Sequence, residues 1–147
     1  MGDDTTEEAT KLKNYVKKHK IKNVEFLGFK SGEELENIIK AARFTLIPSI
    51  WYDNLPNTAL ESFQYSKPVI ASNIGSLPEL VIDGENGYLF NPSDEEDLIK
   101  KIKMLDDDKL VKKMGEASRR RLENRFSPNA HYEALMKVFN EAIENRK

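Results

Sequence analysis

Apolar residues recur along this chain with two alternating periods. In residues 5–20, "TTEEATKLKNYVKKHK", Thr residues precede a Glu pair, and Ala9, Leu12, Tyr15 and Val16 follow at helical spacing, which predicts an amphipathic helix. "NVEFLGF" is short, β-rich and bounded by Asn23 and Gly28, and predicts a strand. "SGEELENIIKAA" opens on a Ser cap and sets Leu35, Ile38 and Ile39 on one helical face. "FTLIPS" then reads as a buried strand, "LPNTALESFQYS" as a helix, and "PVIAS" as a strand whose proline takes the first position, where a missing N–H is tolerated. A short helix in "SLPELVID", a turn in "DGENG" and a short strand in "YLF" follow. From residue 94 the pattern is helical to residue 147, with breaks near "DDD" at 106–108 and at "FSPNA".

Strand and helix alternate, the strands are apolar throughout, and no repeat or linker interrupts them. That combination predicts an α/β fold: a doubly wound, Rossmann-like parallel sheet flanked by helices. With 147 residues the chain fits a single domain, residues 1–147, that buries about 68–70% of the surface of its unfolded form. Acidic residues number 25 and basic residues 23, so no net field favours nucleic acid as a partner. Cysteine is absent, which removes disulfides and thiolate metal sites and fits a reducing compartment. No signal peptide is evident, and no apolar run approaches the roughly 18 residues of a membrane span. The expected location is the cytoplasm. The basic residues in 100–125 fit solvated helix faces, with peripheral contact at the inner face of an anionic membrane as the alternative.

In doubly wound sheets the ligand sits beyond the carboxyl ends of the strands. Trp51, Tyr52 and Asp53 follow "FTLIPS" at that edge. Asn54 can cap the next helix and Pro56 fits its first turn, which leaves N–H groups near Leu55, Asn57 and Thr58 free to meet an anion without a basic side chain. Glu61 comes about one turn deeper, beside an apolar face of Leu55, Ala59, Leu60 and Phe63. A carboxylate there can accept two hydrogen bonds from a vicinal diol such as a ribose. An anion site joined to a diol acceptor suggests a nucleotide.

Plainer readings fit the same residues. Asp53 and Asn54 also make an ordinary turn and cap, Glu61 an ordinary solvated helix position, and Trp51 and Tyr52 a packing element or lid. "DGENG" lacks the acid spacing of a calcium loop, "DDD" suits helix capping, and neither His19 nor His131 has catalytic partners. No metal site is expected.

The stretch "PSIWYDNLPNTALESFQYSKPVIASNIGSLPELVIDGENGYLF", residues 48–90, resembles the donor-binding core of glycosyltransferase family 4, retaining enzymes of the GT-B fold. The likeness extends from "NVEFLGF" to "SDEEDLIKKI" and rests on paired acids with seven residues between them, the proline at the helix start and the "PELVIDGENGYLF" run. The resemblance implies that Glu61 holds the ribose of a nucleotide diphosphate sugar and that Asp53 contacts hydroxyls of the transferred hexose. The backbone of Asn54, Leu55, Pro56, Asn57 and Thr58 would meet the diphosphate, and Phe29 and Lys30 would lie near the base. It implies no cofactor and no divalent metal beyond the donor itself, and an acceptor hydroxyl on a glycan, lipid or small molecule.

Two departures stand out: Asp53 replaces the usual glutamate, one methylene longer, and the paired glycines after "PVIAS" are here Gly75 and Ser76. The family's first strands, with their Gly-Arg pair and lysine, and its acceptor-binding domain would precede this chain. On that expectation the fragment is inactive alone and prone to self-association through an incomplete sheet. Two rivals are a phosphoacceptor receiver, with Asp53 as acceptor and Ser72 as the partner hydroxyl, and a non-catalytic α/β interaction module. A sugar-nucleotide epimerase would need further acids and histidines.

Overall fold

The computed structural model describes residues 6–146. They fall into two compact units, residues 6–38 and 39–146. In the first, α1 (Glu7–Lys18) opens where Thr6 accepts the Ala9 amide at 3.2 Å; Thr5 lies outside the described residues. Acidic residues occupy its first turn and lysines its last, matching the helix dipole. The predicted apolar face is present but buries nothing: Leu12 and Tyr15 are exposed, and Tyr15 packs its ring on His19, 4.3 Å between centroids.

"NVEFLGF" is not a strand. Residues 23–29 belong to no ladder among the described residues, which corrects the expectation from its composition. β-Propensity describes how well a residue fits a pleated, half-buried surface, and without a neighbouring strand that surface does not exist. α2 (Gly32–Ala41) follows, with Ile39 as its buried residue.

The second unit is built on three parallel strands, β1 (Thr45–Ile47), β2 (Val69–Ser72) and β3 (Gly87–Phe90), in the order β1-β2-β3. Its helices are α3 (Asn57–Gln64), α4 (Leu77–Leu80), α5 (Glu95–Met104), α6 (Asp108–Arg125) and α7 (Pro128–Glu144). β2 is central and buried at every position, which is why Val69, Ile70 and Ala71 read as an apolar run ahead of Ser72. Side chains alternate across it. Val69 and Ala71 join Ala59 and Phe63 of α3 with Leu77 and Leu80 of α4 on one face. Ile70 joins Tyr88, Phe90, Leu105 and Met114 on the other. α6 serves both faces, Met114 toward the second and Leu122 toward the first. The fold class predicted from the alternation is the one observed: a parallel sheet with helices on both sides.

Local chemistry sets most boundaries. Asp94 caps α5, Asp107 caps α6 by accepting the Lys109 amide at 2.8 Å, and Ser127 caps α7 ahead of Pro128. Asp108 pairs with Arg43, whose guanidinium also donates to the carbonyls of Leu105 (2.8 Å) and Asp106 (2.6 Å) at the end of α5. The acidic triplet is thus capping and bracing. In the "DGENG" turn, Asp83 accepts the Leu89 amide at 2.8 Å and the Lys101 ammonium at 3.2 Å. Asn86 is fully buried; its side chain accepts from the Ile82 amide at 2.7 Å and donates to the Leu80 carbonyl at 3.1 Å. Those bonds lock the turn that delivers β3 to the sheet. α7 buries none of its residues and leaves Tyr132, Leu135, Phe139 and Ile143 exposed along one stripe.

Candidate functional site

Parallel strands put the segments after β1 and β2 at the same carboxyl edge, and because these strands are neighbours the two segments lie side by side. Residues 48–56 follow β1 and residues 73–76 follow β2. Two bonds join them: the Asp53 carbonyl accepts the Ser76 hydroxyl at 2.9 Å and the Ser76 amide at 3.3 Å. Gly75 contributes by close approach. Its backbone is left-handed (φ +60°), and a Cβ built there would stand 3.0 Å from the Asp53 nitrogen and 3.1 Å from its oxygen.

α3 starts later than the sequence suggests. Its N-cap is Pro56, in extended conformation and without a side-chain hydrogen bond, so Asn54 does not cap the helix. Proline has a fixed φ that enters a helix well and no N–H to leave unsatisfied. Asn54 stays outside, as does Leu55, which is 47% exposed instead of joining the apolar face. The buried face of α3 is Ala59, Ser62 and Phe63. Ser62 is accommodated because its hydroxyl donates to the Thr58 carbonyl at 2.7 Å and accepts from Thr45 at 2.8 Å. The Ala59 amide is satisfied by the Pro56 carbonyl at 3.0 Å, so the open donors at the helix start are those of Asn57 and Thr58. They carry the positive end of the helix dipole.

Asp53 and Glu61 are both exposed, and among the described residues neither carboxylate has a hydrogen-bond or ion-pair partner. Glu61 stands four residues into α3, about 6 Å along the axis from Asn57. Between the two acids lie the open amides. Trp51 and Tyr52 are exposed at 67% and 84% and form no part of the core. Phe29 and Lys30 belong to residues 6–38; Phe29 is exposed and Lys30 pairs with Glu34.

Ser72, at the end of β2, is only 1% exposed, and its hydroxyl has no hydrogen-bond partner among the described residues. Burial keeps it from a phosphoryl group on Asp53, which removes the hydroxyl that a receiver domain would need. A cavity of about 590 Å³ lined by Arg43, Tyr65, Lys67, Asp108 and Lys112 opens at the amino ends of β1 and β2, the opposite edge from Asp53. On α6, Arg120, Arg121 and Arg125 line a smaller one of about 380 Å³ with Glu85. Burial and the neighbouring Arg125 hold the Arg121 guanidinium below its usual pKa, and Glu85 partly opposes them. No group of three or more metal-ligating side chains occurs among the described residues, and no helix among them is long and apolar enough to cross a membrane.

Comparison with known proteins places the sequence and the fold. Residues 2–121 match the family described as glycosyl transferases group 1. An uncharacterised glycosyltransferase of Methanocaldococcus jannaschii is 33% identical over 132 residues, which are 89% of this chain and 37% of the relative. The sucrose-phosphate synthase of Thermosynechococcus elongatus superposes with a TM-score of 0.80 at 26% identity, over 98% of this chain and 37% of that one. The C-terminal domain of a glycosyl transferase group 1 family protein from Francisella tularensis superposes with a TM-score of 0.74 at 26% identity, over 85% of this chain and 65% of that domain. The chain thus spans little more than a third of the Methanocaldococcus relative. Family match, identity and fold coincide on the segment that carries Asp53 and Glu61, and the chain belongs to the glycosyl transferases group 1 family.

Proposed function

We propose that this chain forms the donor site of a retaining, family 4-type glycosyltransferase that moves a hexose from a nucleotide diphosphate sugar to an acceptor hydroxyl. One observation carries the reading: two unpartnered carboxylates, Asp53 and Glu61, flank the open amides of Asn57 and Thr58 at the sheet's carboxyl edge.

The two ends of such a donor differ in what they need, and the site supplies each. Ribose presents two adjacent hydroxyls, and the Glu61 carboxylate accepts from both. Diphosphate presents anionic oxygens, and the α3 amides donate to them along the dipole. The hexose presents hydroxyls to Asp53, ahead of the helix. During transfer the bond from the anomeric carbon to the diphosphate oxygen breaks and a bond to the acceptor oxygen forms on the same face. The acceptor proton passes to the departing diphosphate. The protein's share is positioning and stabilisation of the charge that grows on the leaving group. No metal or cofactor is assigned a step, and the acceptor is a glycan, lipid or small molecule.

Calorimetric titration with a panel of nucleoside diphosphates tests the reading. Removing a charged acceptor from a ligand hydroxyl costs about 1.5–3 kcal/mol, so Glu61→Gln should weaken nucleotide binding by more than about tenfold. An unchanged dissociation constant overturns the ribose assignment, and a chain that binds no member of the panel overturns the donor site. Asp53→Ala should remove the added affinity of the nucleotide sugar and leave the bare diphosphate within a few-fold. Equal loss of both would make Asp53 a structural residue.

A further inference from the structure

Asp53 combines a free carboxylate with a constrained backbone. Its carbonyl oxygen takes both donors of a single residue, the hydroxyl and the amide of Ser76, 23 positions away in sequence. Two donors on one carbonyl use both of its lone pairs and fix the plane of the peptide that follows Asp53.

The Ser76 hydroxyl is diverted to reach this carbonyl. Ser76 is the N-cap of α4, where a serine oxygen ordinarily accepts an amide from the first turn. Here no side-chain cap bond forms. α4 is held by other means: Glu79 donates its amide to the Ser76 carbonyl at 3.0 Å, and Leu77 and Leu80 are each 1% exposed in the core. Ser76 is therefore anchored to a packed element while its side chain reaches across to the segment after β1. Gly75 presses its backbone on Tyr52 and Asp53 beside it.

We infer that Ser76 is a positioning residue that aims the Asp53 carboxylate at the transferred sugar; the inference rests on the donor-site reading above. Aspartate has a short side chain with two rotatable bonds, so its carboxylate lands where its backbone places it. A longer acid could correct a small backbone shift by a change of rotamer. Asp53 has little such freedom, and its main-chain carbonyl is the atom that Ser76 holds. The hydroxyl secures what the shorter side chain cannot adjust.

The test is the ratio of affinities for a nucleotide sugar and for its bare nucleoside diphosphate. It is measured by calorimetry on this chain with uridine, guanosine and adenosine diphosphates and their glucose or mannose conjugates. Ser76→Ala should lower that ratio by roughly 2- to 12-fold, the range of one hydrogen bond, and leave the bare diphosphate affinity unchanged. Ser76→Thr, which keeps the hydroxyl, should restore the ratio. A ratio that survives Ser76→Ala while Asp53→Ala abolishes it overturns the role of Ser76 and leaves Asp53 standing. Equal losses for sugar and diphosphate would make Ser76 merely structural and also overturn it. If the unsubstituted chain binds diphosphates but gains nothing from any sugar, the assignment of Asp53 fails and Ser76 falls with it.

Discussion

Replacing Gly75 with alanine probes how the two segments at the carboxyl edge are held. Gly75 is left-handed at φ +60°, a conformation that costs a residue with a Cβ roughly 1–2 kcal/mol relative to glycine. The new methyl carbon would also stand 3.0, 3.1 and 3.3 Å from backbone atoms of Asp53 and Tyr52. These neighbours are main chain, so no side chain can swing aside, and overpacking of this kind costs about 1–3 kcal/mol if nothing yields. Gly75→Ala should therefore destabilise the chain by about 2–5 kcal/mol if residues 52 and 53 stay in place. If that segment gives way, only the backbone cost of about 1–2 kcal/mol remains, and the displaced Asp53 should lose its preference for nucleotide sugar over bare diphosphate. Urea unfolding followed by circular dichroism, with the titrations above, separates the two outcomes. A loss below about 0.5 kcal/mol with an unchanged sugar preference would match an ordinary surface position and refute the close approach.

The structure yields further expectations. Asn86→Ala strips partners from the Leu80 carbonyl and the Ile82 amide and should cost about 2–4 kcal/mol in urea unfolding; a loss under about 1 kcal/mol would mean that water replaces the side chain. Phe63→Ala opens a cavity beneath α3 at a fully buried position and should cost about 3–5 kcal/mol, so a midpoint near that of the parent would refute its place in the core. Nucleotide binding should persist in excess chelator, because the helix start supplies the positive field; loss of affinity under chelator would show that a divalent cation is required. The outer edge of β1 has no strand partner among the described residues, and Leu46 beside it is 39% exposed. The chain should therefore self-associate as its concentration rises, and light scattering that reports a monomer throughout would refute this.

Interactions that span a few residues were written in the sequence. The caps at Thr6, Asp94, Asp107 and Ser127 each bond an amide two or three positions on, and the structure places them at the helix starts. The buried run of β2 and the turn before β3 follow from composition in the same way. The place of Glu61 one helical turn past the start of α3 is local in the same sense. Contacts between distant residues were not legible. "NVEFLGF" has strand composition but no partner in the sheet, and a strand is a property of two segments. Leu55 fits the helical period but precedes a helix that starts only after Pro56. Gly87 reads as a turn glycine, yet what requires it is Val69 on the neighbouring strand, whose carbonyl oxygen would stand 1.9 Å from an added Cβ. The grip of Gly75 and Ser76 on Asp53 arises because β1 and β2 are adjacent, which brings residues 23 positions apart within 2.9 Å. The sequence supplied the acids and the helix that separates them; strand adjacency decided where the first acid is held.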